Sequence, residues 1–310
     1  MRIMTARTAD TPDARAGFAL WAIIAMLAGA LWAACTAAGL SLNFASGAQP
    51  FAIVGVLCGI AWIYRARRPA PAISHAAEAS AQLISILLLG ALLGLALAPL
   101  TAGTPYRDPI LARADRLLGF DWTALNGFAT SRRWLIWGLW LAYMTMVPQF
   151  VAVIGSLAAA GQPRRLQRFT LALAITLSLT LAIFPVVPAL GYHAFLGLQM
   201  GPPAQFMEQL RAGAVPELRA DALDGLVTFP SFHTAAAVLF MWAFWTIRLL
   251  RWPALGLNLL VVASTPVIGS HYLVDILAGA GVASVAILAA SRLVPDQAPR
   301  SLAAQGTAAS

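Results

Sequence analysis

Two short stretches carry the residues best able to do chemistry, Phe229-Pro230-Ser231-Phe232-His233-Thr234 and Gly269-Ser270-His271-Tyr272-Leu273-Val274-Asp275. Each opens an apolar run, so each reads as the first turn of a membrane helix. Proline and serine favour helix starts, and Ser231 and Ser270 are each placed to cap free backbone N–H groups. A helix N-terminus carries partial positive charge and unpaired donors, which suits a phosphate. His233 and His271 fall beside those donors. Asp275 follows His271 by four, so on a helix the two share a face with Cβ atoms roughly 5–6 Å apart. An imidazole with an orienting carboxylate is the arrangement of a nucleophile or base, and a second, protonated imidazole can give its proton to a leaving alkoxide. These groups together suit attack on a phosphate ester within a membrane.

The elements that must hold them are membrane helices. Hydrophobic residues make up 60% of the 310-residue chain and charged residues only 10%, more apolar surface than a soluble core of this length requires. Several apolar runs are long enough to cross a hydrocarbon layer of about 30 Å. The net charge of +8 is no nucleic-acid footprint. All twenty basic residues are arginine, they fall mainly between apolar runs, and no aromatic-interleaved basic patch accompanies them. Cys35 and Cys58 each lie inside an apolar run, where buried inert thiols are expected and a disulfide framework is not.

Taken in order, residues 1–16 read as a mobile cytoplasmic tail. Residues 17–78 hold two N-terminal spans, at about 17–40 and 50–64; the first is too long for a secretory leader and is expected to be retained. Residues 79–294 form a six-helix catalytic membrane domain with spans near 79–100, 134–160, 169–184, 229–250, 254–268 and 269–293. The tail at 295–310 is rich in Ala, Pro, Gln and Ser and is expected to be disordered. The predicted fold is therefore an all-α integral membrane protein of about eight transmembrane helices. With the N-terminus inside, the basic loops at 65–68, 164–168 and 248–251 all face the cytoplasm. Both histidine stretches then meet at the opposite face. The Ala- and Arg-rich composition points to a bacterial inner membrane, with the site on its periplasmic side.

The Pro230-Ser231-Phe232-His233-Thr234 run and the His271-Tyr272 pair followed by Asp275 resemble the second and third signature motifs of the type 2 phosphatidic acid phosphatase superfamily. The variant is similar to that of the inositol phosphorylceramide synthase-like branch, as are the stretch 114–122 and Phe184-Pro185. The likeness covers roughly residues 80–290. It implies a metal-independent, cofactor-free reaction through a phosphohistidine, with His271 as nucleophile, His233 as general acid and Asp275 as the partner of His271. The implied substrate is a lipid phosphate or phosphodiester, with water or an alcohol such as inositol as acceptor.

Two departures from the family pattern matter. Thr265 stands where many members place an arginine before the third-motif histidine, and the first, basic motif is absent, Leu190-Gly191-Tyr192-His193 standing in its place. Phosphate binding then falls to Ser231, Ser270 and Thr234, with His193, Arg107, Arg132, Arg133 and Arg211 as candidate clamps. Asp115 and Arg116 suggest a local ion pair in preference to an acceptor contact, and His75 an ordinary loop residue. Tyr143 and Gln149 line the cavity or, the simpler expectation, pack helices together. Two other functions fit the same residues. One is a metal site of His193, His233, His271 and Asp275 in a hydrolase or ion transporter, although no His pair has helical ligand spacing. The other is a lipid-binding or transport protein without catalysis. Oligomeric state is not legible.

Overall fold

The computed structural model describes residues 11–46, 48–198, 201–220 and 227–295. Most of the tail expected at 1–16, and all but the first residue of that expected at 295–310, lie outside the described residues. The first helix, α1 (Ala14–Ala38), begins before the expected span because Asp13 caps it, its Oδ1 accepting from the N–H groups of Arg15 and Ala16. Then follow a three-residue strand β1 (Ser41–Asn43), α2 (Ala48–Ala66) and α3 (Pro71–Leu97). Pro71 sets the start of α3 well before residue 79, so His75 lies within the helix and not in a loop.

The segment between the third and fourth spans folds into α4 (Asp108–Leu117) and α5 (Trp122–Thr130). The expected fourth span is two helices, α6 (Arg133–Met144) and α7 (Met146–Ala159), bent by 46° at Thr145. Pro148 explains the break: it has no N–H, and its ring crowds the carbonyl four residues back, that of Met144, the last residue of α6. α8 (Pro163–Ile183) leads to a loop holding α9 (Tyr192–Phe195), α10 (Pro202–Arg211) and strand β2 (Glu217–Arg219). The chain closes with α11 (Phe232–Phe244), α12 (Arg251–Ser264) and α13 (Leu273–Leu293).

The protein is thus an all-α membrane protein. Of the described helices, α1, α2, α3, α8 and α13 are long and apolar enough to cross a membrane, and the bent pair α6–α7 makes a sixth. The other two expected spans are the 13-residue α11 and the 14-residue α12, each about 20 Å long and short of a full bilayer crossing. The expected spans included residues 245–250 and 265–268, which the chain spends in turns.

α8 lies at the centre, packed by α3, α11 and α13, with α1 and α7 beside it. Its Phe169, Leu171 and Leu173 are fully buried, and Phe150 of α7 meets Phe240 of α11 edge-on at 4.8 Å. α2 packs on α3 and buries only Ala61, so its apolar surface faces lipid. The N-terminal pair of helices is tied into the rest outside the bundle too: β1 pairs in parallel with β2, Leu42 against Leu218.

The arginines of α2, α8, α12 and α13 gather at one end of the bundle. Arg164 donates to the carbonyls of Thr11 (2.8 Å) and Pro295 (2.9 Å), and Arg168 to that of Val294 (2.5 Å). Arg165 lies over the Trp242 ring and donates to its carbonyl, and Arg65 pairs with Glu78. These contacts hold the start of α8 to the ends of α11 and α13, whose orphan carbonyls need donors. The starts of α11 and α13 therefore lie together at the other end.

Candidate active site

The two histidine stretches meet directly. The Ser231 N–H donates to the Asp275 carbonyl at 3.1 Å, and the start of α11 lies flat on α13 at Gly279, where a Cβ would stand 2.3 Å from the Ser231 carbonyl oxygen. Only glycine permits that approach. Ser231 caps α11, its buried Oγ accepting from the Thr234 N–H at 3.3 Å. The first-turn N–H groups of α11, those of Phe232 and His233, have no acceptor within the helix and face the same corner. The Thr234 hydroxyl is buried there without a hydrogen-bond partner among the described residues.

Ser270 does not cap α13; Tyr272 does. Ser270 has φ 58°, a left-handed conformation costing roughly 1–3 kcal/mol for a residue with a side chain. The first turn of α9 holds it there: the Ser270 Oγ accepts the His193 N–H at 2.7 Å and its carbonyl the Tyr192 N–H at 2.8 Å. The turn presents His271, 5% exposed, with Nδ1 3.4 Å from Oδ2 of the fully buried Asp275. That contact is close but not an aligned hydrogen bond, since Nδ1 and the second oxygen, Oδ1, have no hydrogen-bond partner among the described residues. Oδ2 also accepts the Tyr272 N–H at 3.0 Å. With Nδ1 toward the carboxylate, the Nε2 edge of the ring is directed away from it.

Two further carboxylates build this corner. Asp115, fully buried on α4, accepts the N–H groups of Leu273 (2.8 Å) and Val274 (3.0 Å). Among the described residues it makes no ion pair with Arg116, which is exposed. Burial pushes the Asp115 carboxyl above its usual range, against the lowering effect of the two N–H donors. Asp108, 4% exposed, accepts the N–H groups of Leu190 and Gly191 and the Tyr272 hydroxyl, the last at 2.8 Å. Burial, followed by the Asp108 charge, raises the Tyr272 phenol far above its ordinary value. The N-terminus of α13 is therefore saturated by Asp115 and Asp275. The helix start with open donors in this corner is that of α11, since those of α13 are already accepted by Asp115 and Asp275.

His233 is half-buried at the start of α11 with its ring stacked on Tyr143, centroids 3.9 Å apart and planes 16° from parallel. Tyr143 and His271 both border Gly269: a Cβ there would lie 3.2 Å from the Tyr143 Cε2 and 2.8 Å from the His271 Cδ2. His233, Tyr143, His271 and Asp275 thus form one contiguous group. Gln149 does not face them; it packs α7 to α12, accepting from the Asn258 side chain at 2.7 Å.

The candidate clamps separate clearly. Arg211 is held by Thr101, Ala102 and Thr104 and lies over the Tyr106 ring, while Arg132 is held by Phe128 and Ser131. Neither is free to grip a substrate. Arg133 is exposed at the start of α6. His193 stands edge-on to Trp122 at 4.8 Å, and burial lowers its pKa, so it is a poor cation at neutral pH. Arg107 remains, half-buried at the start of α4 next to Asp108, its guanidinium making no hydrogen bond among the described residues. Among the same residues, no three His, Cys, Asp or Glu side chains gather as a metal-binding group.

Two histidines and a carboxylate thus close into one corner at the end of a membrane helix bundle. The chain belongs to the PAP2 superfamily, the type 2 phosphatidic acid phosphatase group its motifs resemble: the family model described as PAP2 superfamily matches residues 109–289. Neither the curated proteins nor the solved structures include a match to it. Membership supports phosphatase-type chemistry on a lipid phosphate.

Proposed function

We propose that this protein is a lipid phosphate phosphatase or phosphotransferase that works through a phosphohistidine on His271, with no metal or cofactor. The carrying observation is the junction of the two stretches, where the Ser231 N–H meets the Asp275 carbonyl beside the His271–Asp275 pair. The phosphate of a membrane lipid sits against the first-turn donors of α11, with Ser231, Thr234 and Arg107 around it. Ser270 serves indirectly, by holding the turn that presents His271, and His193 by anchoring Ser270 through its N–H.

His271 Nε2 attacks phosphorus. The bond from phosphorus to the lipid oxygen breaks, and His233 gives its proton to that oxygen. Asp275 steadies the charge that grows on the His271 ring. Water, losing its proton to His233, then attacks the phosphohistidine; phosphate leaves and both histidines are restored. The motif style of the synthase-like branch favours a second reading in which an alcohol such as inositol enters in place of water. The first half-reaction is then the same. We place the site on the face opposite the arginine-rich end, the periplasmic side of a bacterial inner membrane.

The test is turnover of a panel of lipid phosphates by purified protein in detergent and chelator, with and without alcohol acceptors. His271→Ala and His233→Ala should each lower turnover a hundredfold or more. Full activity in both variants, or activity that vanishes in chelator and returns with zinc, refutes the proposal.

A further inference from the structure

One contact in this corner has no role in the mechanism as written: the Tyr143 ring lies face to face with His233. We infer that Tyr143 is a positioning residue for the general acid, its ring face holding the His233 imidazole in place and stabilising it in the protonated form. The inference rests on the proposed function and extends it to a residue that never touches the reacting atoms.

The physical case begins with what surrounds His233. α11 is packed by α7, α8, α12 and α13. α7 has no ionisable residue, and the arginines of α8, α12 and α13 lie at the opposite end of the bundle. His271, from the turn before α13, shares this corner through Gly269 and Tyr143, and it is of like sign when protonated. The carboxylate of Asp275 is turned to His271 and to the Tyr272 N–H. No carboxylate is hydrogen-bonded to His233 among the described residues. A half-buried imidazolium without an anionic partner needs another source of stabilisation. The face of a tyrosine ring is negative, and at 3.9 Å it lies well inside the range of a cation–π contact.

The fold holds that ring in place. Tyr143 is in the last turn of α6, two residues before the bend. At the bend, the Thr145 hydroxyl donates to the Ala142 carbonyl at 2.6 Å and accepts from the Gln149 amide at 3.0 Å. Gln149 in turn accepts from Asn258, which also donates to the Ala254 carbonyl at 2.9 Å. A buried chain of amides thus ties the bend to α12, and the bend sets where the Tyr143 ring falls.

The experiment compares Tyr143→Phe and Tyr143→Leu with wild type, using the pH dependence of kcat/KM for a lipid phosphate and the titration of the His233 ring followed by NMR. With four histidines in the chain, the His233 signal is assigned by its loss in His233→Asn. Phe keeps the ring face and should keep both the profile and the titration midpoint. Leu removes it. The alkaline limb of kcat/KM and the His233 midpoint should then move to lower pH together, by roughly 0.5–1.5 units. A Leu variant with lowered turnover but an unmoved profile and midpoint would show plain packing and overturn the inference, as would failure of Phe to restore the wild-type values. If His233→Asn turns over normally, the proposed function fails instead, and the NMR comparison still decides whether Tyr143 stabilises the imidazolium.

Discussion

Replacing Asp115 by Ala tests how the corner is built, because structure and sequence give different partners to this carboxylate. It accepts two N–H groups at the start of α13. Each, left without an acceptor in a half-buried setting, costs roughly 1–3 kcal/mol, and the carboxylate also opposes the positive end of the helix. Its own burial, which raises its pKa, offsets part of that. A net loss of about 2 kcal/mol is expected. The first turn of α13 loosens with it, and since His271 and Asp275 flank that turn, turnover should fall at least tenfold. Asp115→Asn keeps one acceptor oxygen and should fall between. Arg116→Ala is the control. Arg116 is exposed, so its loss should cost under about 1 kcal/mol. The assay is thermal unfolding in detergent alongside turnover of a lipid phosphate. Equal losses for Asp115→Ala and Arg116→Ala would restore the ion pair, and an Asp115→Ala variant indistinguishable from wild type would remove Asp115 from the corner.

Two further predictions follow from the same geometry. Gly279→Ala puts a Cβ against the Ser231 backbone, at 2.3 Å from its carbonyl oxygen, whereas Gly281→Ala meets nothing within 4 Å. The first should cost about 1–3 kcal/mol and most of the turnover; the second should leave melting and turnover unchanged, and equal effects would contradict the close approach. His193 titrates below its ordinary value in the fold because burial disfavours its charge. As pH falls through about 6.5, the unfolded chain takes up a proton that the folded protein does not, so stability declines toward acid. His193→Gln should therefore lose less melting temperature than wild type between pH 7.5 and 5.5, and parallel losses would refute that sign.

Much of this corner was legible in the order of residues. Ser231 sits where a cap belongs, and the spacing of His271 and Asp275 predicts that the two meet, although His271 lies in the turn before α13 and not on the helix. The positive-inside pattern predicts both stretches at one face, and the two meet at one end of the bundle. What the sequence hid are partners that depend on distant backbone. Asp115 has Arg116 beside it in sequence, but its donors lie 158 and 159 residues away, and Asp108 finds the Tyr272 hydroxyl 164 residues on. Backbone N–H groups carry no signature in a sequence, so a carboxylate that caps a remote helix looks like half of an ion pair. Ser270 differs from a helix cap for a related reason. It has a capping side chain, but its left-handed φ ends the preceding turn, and the helix starts only after Tyr272. Tyr143 reads as a packing residue because aromatic rings in apolar helices usually are, and its stacking on His233 appears only in the fold, beside the bend at Thr145.

A phosphohistidine on His271 is detected by trapping the enzyme during turnover of a phosphorus-labelled lipid phosphate with chelator present. The reaction is quenched in alkali, which preserves phosphohistidine, and the labelled peptide is identified by mass spectrometry. The predicted result is a phosphoryl group on His271, absent from His271→Ala. Turnover that proceeds with no label on the protein, or with label on a serine or carboxylate, would contradict it.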